Sequence, residues 1–453
     1  MDGWKGHVNM HRLLALLLCL MLLPLTAAAE ASGGVPQIQR VTLEKWEETQ
    51  ENKSVVRMWY PATSQPEVDE ELRNLMDSYR DTLSGTLPKA GNTTTKNSRL
   101  DVDCRYSRTG TEWLSFLITA RITVAREFQS TQLVSRTYNM QTGQPVTLTD
   151  IFASGSPAWD LLAQEIRTQI TAYFPKETPD EQQLAAWLEP EALAQADFTL
   201  HAMSLVLHYP ASKVYPTHNT LMEVTVMYPQ IRDMMQEEAK AQTDNSQYPM
   251  VALTYDDGPA RTPTTLLLNK LREKGVRATF FVLGNRIKPY QDLVQREHDE
   301  GHSVATHNYH HGNVQKSSAA QLRRQVTMCN AALEAAIGLY PKYDRVPHGQ
   351  YPPMIKAKAG WPLIQWSLDT YDWRGASSNA VLNAVKRQVE DGDIILCHDI
   401  KEKSADTAEM VIDYLEEGGY MFVTIDELFA RDGVTLMPDT VYYHCKDGET
   451  GRK

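Results

Sequence analysis

The 453-residue chain is poor in cysteine, with five in all. Cys19 lies in an N-terminal apolar run, which leaves Cys104, Cys329, Cys397 and Cys445 scattered through the remainder. No C-x-x-C pair exists, so a cysteine zinc site is not expected. Those four thiols allow three full pairings, and spacing favours none of them. Basic charge is also scarce: 45 Lys and Arg against 57 Asp and Glu give a net charge of -12. A duplex-binding protein needs a basic face, so nucleic acid is not expected as a partner. An acidic average leaves an anionic polymer open as substrate, because local fields decide that. No glycine-rich loop suited to cradling phosphates is present. The apolar run Leu13 to Leu25 has 13 residues, short of the ~20 that cross a bilayer. Lys5, His11 and Arg12 precede it and Ala27-Ala28-Ala29 follows, the pattern of an export signal. An uncleaved anchor is the alternative. Cys19 lacks the small residues that a lipidation site wants before it.

Hydrophobic residues make up 42% and charged residues 23%, the balance of a folded globular protein. The length suits two domains. In the first half, Val55 to Tyr60 reads as a strand and Pro66 to Leu83 as a helix with acidic residues near its start. Leu100 to Tyr138 is β-rich, Ala158 to Phe174 an amphipathic helix, and Phe198 to His208 and Met222 to Tyr228 strands. This half carries no catalytic cluster; His201 and His208 alternate with apolar neighbours and read as structural. Gln236 to Gln247 is polar and charged, a helix tail running into a linker. The stretch from Thr435 to Lys453 reads as a loosely packed extension.

From Met250 to about Phe429, short apolar strands alternate with helical stretches. Strands begin near Val251, Thr279, Ser303, Asp344, Ile364, Ile394 and Phe422. Such alternation implies a parallel sheet. Seven strands in roughly 180 residues fit an incomplete or distorted barrel, shorter than the eightfold one of about 250. The expected fold class is α/β, a distorted (β/α)7-type barrel preceded by a smaller α+β module. Reactive residues cluster where strands end: Asp256-Asp257, then His307 and His311, Arg345 and His348, Asp369 and Asp372, and His398-Asp399. In barrel folds those ends converge on one mouth, and the mouth holds the chemistry.

Two adjacent carboxylates repel unless a cation or a shared proton stabilises them. His307 and His311 are four apart, a spacing that puts two imidazoles on one face of a turn. With one carboxylate they make a two-histidine, one-carboxylate set with open positions. His310 competes as ligand but faces elsewhere on spacing.

These clusters resemble, in order, the motifs of the polysaccharide deacetylase family with the NodB-type catalytic domain, carbohydrate esterase family four. Thr254-Tyr255-Asp256-Asp257-Gly258-Pro259 is similar to its first motif. Gly301-His302 through His307-x-x-x-His311 is similar to the second, and Arg345-Val346-Pro347-His348-Gly349 to the third. Asp369-Thr370-Tyr371-Asp372-Trp373 matches the fourth, and Ile394 to Asp399 the fifth. The resemblance implies Asp256 as general base, His398 as general acid, and Arg345 paired with Asp369 to position and tune the base. It implies Asp257, His307 and His311 as holders of a divalent metal, usually zinc, with cobalt or manganese as alternatives. It implies substrate contacts from the His348 backbone N–H, Leu396, Trp373 and Tyr255.

The first half resembles an extracellular α+β module of bacterial envelope proteins, through Arg136 to Asn139 with Gly143 to Phe152, and Phe198 to Tyr215. In that family such modules sit beside sugar deacetylases or on membrane-bound, lysozyme-sensing anti-sigma regulators. Together the resemblances imply an exported deacetylase of cell-wall amino sugars, N-acetylmuramic acid first. N-acetylglucosamine, chitooligosaccharide and acetylxylan are alternatives. The implied partners are the cell-wall glycan and, at the module, lysozyme or wall polymer, with the membrane touched only through an uncleaved anchor. The implied layout is signal or anchor 1–29, module 35–235, linker 236–248, catalytic domain 249–432 and tail 433–453. Three departures stand out. His348 takes a tyrosine's place, Val346 a proline's and Asn308 a threonine's. The rival from another class is a silent glycan- or lysozyme-binding envelope protein.

Overall fold

The computed structural model describes residues 40–51, 53–87, 98–125, 127–349 and 360–451. Ile38–Lys453 forms one compact unit. The signal or anchor expected over 1–29 lies outside the described residues.

The chain opens with a six-stranded sheet in sequential order: β1 (Thr42–Thr49), β2 (Val55–Ala62), β3 (Arg99–Thr109), β4 (Trp113–Val124), β5 (Glu127–Asn139) and β6 (Gln144–Val146). Only β2 and β3 run parallel, and the helix Pro66–Leu83 between them makes that crossover. Its Val68, Leu72 and Met76 recur every fourth residue and are buried against the sheet. The helix Ala158–Ala172 does the same with Ala158, Leu162, Ile166 and Ile170, packing near β7 (Phe198–Leu200), β8 (Ser204–Pro210) and β9 (Leu221–Met227). The single strand expected over Phe198 to His208 is a tight hairpin, closed by His201 N–H donating to the Ser204 carbonyl at 2.8 Å. Its apolar turn residues, Ala202 and Met203, are buried, which disguised the turn.

The polar stretch 236–247 is no bare tether. It holds the helix Glu237–Gln242, whose Ala239 is fully buried, and Asn245, whose side chain donates to the Ala202 carbonyl. The first half meets the second through charged groups. Arg272 pairs with Asp103 at 2.6 Å and Arg121 with Asp299 at 2.9 Å, and the Tyr106 hydroxyl donates to the Glu273 carbonyl at 3.0 Å.

The second half is a parallel, distorted barrel. β10 (Met250–Asp256) lies centrally, with β11 (Thr279–Val282) on one side and β15 (Asp393–His398) on the other. β12 (Ser303–Thr306) extends one edge and β14 (Leu368–Asp369) the other. β16 (Met421–Phe422) pairs with the start of β10. The strand expected near Asp344 is that one residue, bridging Thr306 to Leu363 of β13 (Leu363–Ile364). β17 (Val441–Tyr442) pairs with β13, and Cys445 N–H donates to the Gly392 carbonyl at 2.9 Å. Tyr442 and Cys445 are buried, so the C-terminal stretch is a stave of the barrel rather than a loose extension.

Side chains alternate along β10 with period two. Val251, Leu253 and Tyr255 enter the core shared with the surrounding helices, whereas Met250 and Ala252 enter the inner core with Phe281 and Ile394. Asp256 therefore points inward at the barrel mouth. Cys104, Cys329, Cys397 and Cys445 are all buried free thiols.

Candidate metal and acid–base site

Four turns at the mouth place a non-glycine residue in the left-handed region: Asp257 (φ 77°), Asn308 (61°), His348 (63°) and Tyr371 (57°). Such conformations cost about 1–3 kcal/mol each and persist where the surroundings demand them. The first of these turns splits the Asp pair. Asp256 stays in the strand and meets an arginine; Asp257 swings toward two imidazoles.

Asp257 Oδ1 lies 3.5 Å from His307 Nε2 and 3.3 Å from His311 Nε2. It is buried and makes no hydrogen bond. His307 Nδ1 lies 2.6 Å from the Arg345 carbonyl. A carbonyl only accepts, so the proton sits on Nδ1 and Nε2 offers its lone pair. Burial, foremost, pushes the His307 pKa down to about 3, so the ring is neutral. An orphaned carboxylate oxygen and two imidazole nitrogens that share one small volume fit a divalent cation. His310 stands apart: its backbone N–H donates to Gln325 Oε1 and its ring is edge-on to Tyr309.

Arg345 is fully buried and donates to Asp256 Oδ1 at 2.7 Å. Its remaining donors reach Thr254 Oγ1 and the carbonyls of Ile364 and Gln365. Its guanidinium lies 3.9 Å from the Phe281 ring centroid. Burial raises the Asp256 pKa above the usual carboxylate range despite the opposing Arg345 charge. Asp256 Oδ2 remains 3.8 Å from His307 Nε2, so a carboxylate oxygen suited to a proton sits beside the cation site.

Here one sequence expectation is corrected. Among the described residues Arg345 pairs with Asp256 and not with Asp369. Asp369 instead accepts from the Tyr371 backbone N–H at 2.8 Å and from Trp373 Nε1 at 3.3 Å. The left-handed step at Tyr371 turns the chain back over Asp369 and keeps that carboxylate on the rim. The carboxylate that sequence reasoning left without a role is Asp372. Its Oδ1 meets His398 Nδ1 at 2.7 Å and its Oδ2 accepts the His398 N–H at 2.8 Å. The signal was present, since Asp372 follows the same strand end three residues on. Burial alone would lower the His398 pKa, but the Asp372 hydrogen bond and charge outweigh it and raise it.

Leu396 is inward and buried, in register with Thr254 beside Asp256. Trp373 is exposed at the rim. His348 is also at the rim, its ring 4.4 Å from that of His311 and edge-on. Tyr255 is the second correction. It is buried on the helix side of β10, stacked on Phe280 at 5.4 Å, because neighbours in a strand face opposite ways.

The polysaccharide deacetylase family model matches residues 225–360. Over 195 residues the chain is 37% identical to the peptidoglycan-N-acetylglucosamine deacetylase PgdA of Listeria monocytogenes, which covers 43% of this chain and 41% of that protein. It is 33% identical over 189 residues to a peptidoglycan-N-acetylglucosamine deacetylase of Bacillus cereus, 40% of this chain and 68% of that protein. It is 31% identical over 189 residues to the peptidoglycan-N-acetylmuramic acid deacetylase PdaC of Bacillus subtilis, 42% of this chain and 40% of that protein. The matched segment thus spans about two fifths of the Listeria and B. subtilis relatives. Its identity to the B. cereus protein over most of that protein's length, with the family's motifs gathered at one barrel mouth, settles the kinship: the chain belongs to the polysaccharide deacetylase family.

Proposed function

We propose that the protein hydrolyses N-acetyl groups from amino sugars of a cell-wall glycan, with a divalent metal as cofactor and N-acetylmuramic acid as the first substrate candidate. The observation that supports it best is the split Asp pair, one carboxylate on a buried arginine and the next on two imidazoles. Asp257, His307 and His311 would hold the ion, and their nitrogen-rich, mixed donor set suits zinc. A divalent ion held there would supply Lewis acidity, polarising the amide carbonyl and lowering the pKa of a bound water toward ~7. Asp256, anchored through Oδ1 by Arg345, takes the proton of the attacking water at Oδ2. His398, with Nδ1 engaged by Asp372, gives a proton from Nε2 to the leaving nitrogen. The backbone N–H of His348 and the side chain of Leu396 would receive the carbonyl oxygen and the acetyl methyl. Each proton transfer is worth about 10²–10⁴-fold in rate.

Relatives named for peptidoglycan deacetylation support the wall as substrate and an exported, envelope-associated protein. No helix among the described residues is long and apolar enough to cross a membrane. The N-terminal α+β module would hold wall polymer or lysozyme, a role checked by binding each to the intact protein. For the enzyme, the test is acetate release from purified peptidoglycan with and without chelator, followed by mass spectrometry of the sugars. Chelator-insensitive release, or none from the untreated enzyme, refutes the proposal.

A further inference from the structure

The turn that grips His398 also presents two rings and a guanidinium to solvent. Asp372–Arg374 is a single helical turn, entered through left-handed Tyr371 and left through Gly375 at φ 77°. Tyr371 and Trp373 are 43% and 45% exposed, large apolar surfaces left in water beside the site. They are braced, since Asp369 accepts from both the Tyr371 N–H and the Trp373 indole. The Arg374 guanidinium lies 4.5 Å from the Trp373 ring centroid and 5.1 Å from that of Tyr371. The acids on its own turn are engaged elsewhere, Asp369 by those two donors and Asp372 by His398. Among the described residues, no ion pair engages Arg374. Beyond Asp372, Lys401 and Lys403 line the cavity next to His398.

Aromatic faces stack on the C–H face of a sugar whatever its charge. A guanidinium resting near aromatic rings keeps its N–H fork free of an ion partner, and that fork is suited to a carboxylate. We propose that Tyr371, Trp373 and Arg374 form a subsite for a carboxylate-bearing sugar, and that Arg374 sets the preference for such glycans over neutral ones. This rests on the deacetylase reading of the adjacent site. The carboxylate has two sources, a lactyl group on the sugar itself or a peptide attached through that group.

Wild type, Arg374→Gln and Trp373→Ala are compared on three substrates: neutral chitooligosaccharides, peptide-free wall glycan with free lactyl carboxylates, and the same glycan with peptides intact. Arg374→Gln should cut the preference for carboxylate-bearing over neutral substrate by about fivefold in kcat/KM, through KM. The loss falls on peptide-free glycan if the lactyl group is bound, and on peptide-bearing glycan alone if the peptide is. Trp373→Ala should lower kcat/KM on all three. An Arg374→Gln effect equal on all three substrates, or absent, overturns the proposal. Titration of glycan against tryptophan fluorescence separates the two readings. A protein that releases no acetate yet loses its binding preference with Arg374→Gln keeps the subsite and loses the chemistry. One that shows no preference in wild type loses the subsite.

Discussion

Asp372 holds His398 at two points, accepting its main-chain N–H at 2.8 Å and facing its Nδ1 at 2.7 Å. The carboxylate raises the imidazole's pKa against the opposing effect of burial. Asp372→Asn removes the charge and lowers that pKa, so less His398 carries the proton at neutral pH. The alkaline limb of the kcat–pH profile should move to lower pH and kcat should fall. A limb that stays in place contradicts the acid role of His398.

Asp256 and Asp257 are neighbours with separable duties. Asp257→Ala should abolish retention of the metal, measured by elemental analysis after gel filtration, and activity with it. Asp256→Asn should keep the metal while kcat drops by about 10²–10⁴-fold. Metal retained at full stoichiometry in the Asp257 variant would break the assignment.

Asp344 bears on stability rather than chemistry. It is buried, bonded to Thr306 Oγ1 at 2.5 Å, and burial pushes its pKa up to about 7. The folded protein keeps a proton there that the unfolded chain releases near pH ~4. Stability therefore falls as pH rises between these values and levels off above the higher one. Asp344→Asn, which has no proton to lose, should raise the melting temperature relative to wild type more at pH 8 than at pH 5. An increment independent of pH would show that the carboxyl does not titrate in this window.

Tyr255 separates packing from recognition. Tyr255→Phe should leave KM within about twofold, since the ring is on the helix side of its strand. Tyr255→Ala should cost about 3–5 kcal/mol of stability, read from denaturant unfolding. A raised KM in the phenylalanine variant would place the hydroxyl on the substrate.

The barrel was legible because strand and helix periods alternate clearly after Met250, and because reactive side chains recur just past each strand. That recurrence brought an Asp pair and two histidines to one mouth on paper, and the family resemblance chose Asp257 from the pair. The recurrence was not enough to choose which carboxylate meets Arg345, since that depends on the handedness of the turn at Tyr371. Tyr255 was misjudged although its period-two parity was visible: sharing a motif with Asp256 outweighed facing away from it. β17 was missed because two residues pairing with two others far upstream leave no local pattern. The hairpin at 201–203 was hidden by apolar turn residues where polar ones are usual.

The left-handed steps at Asp257, Asn308, His348 and Tyr371 gather four such concessions of conformational ease at the mouth. Anyone seeking a hardier catalyst would begin with Asn308, where glycine relaxes the backbone without touching a ligand. The same relaxation would loosen the spacing between the flanking histidines. If the proposed activity holds, toughness and turnover are set against each other within a single loop.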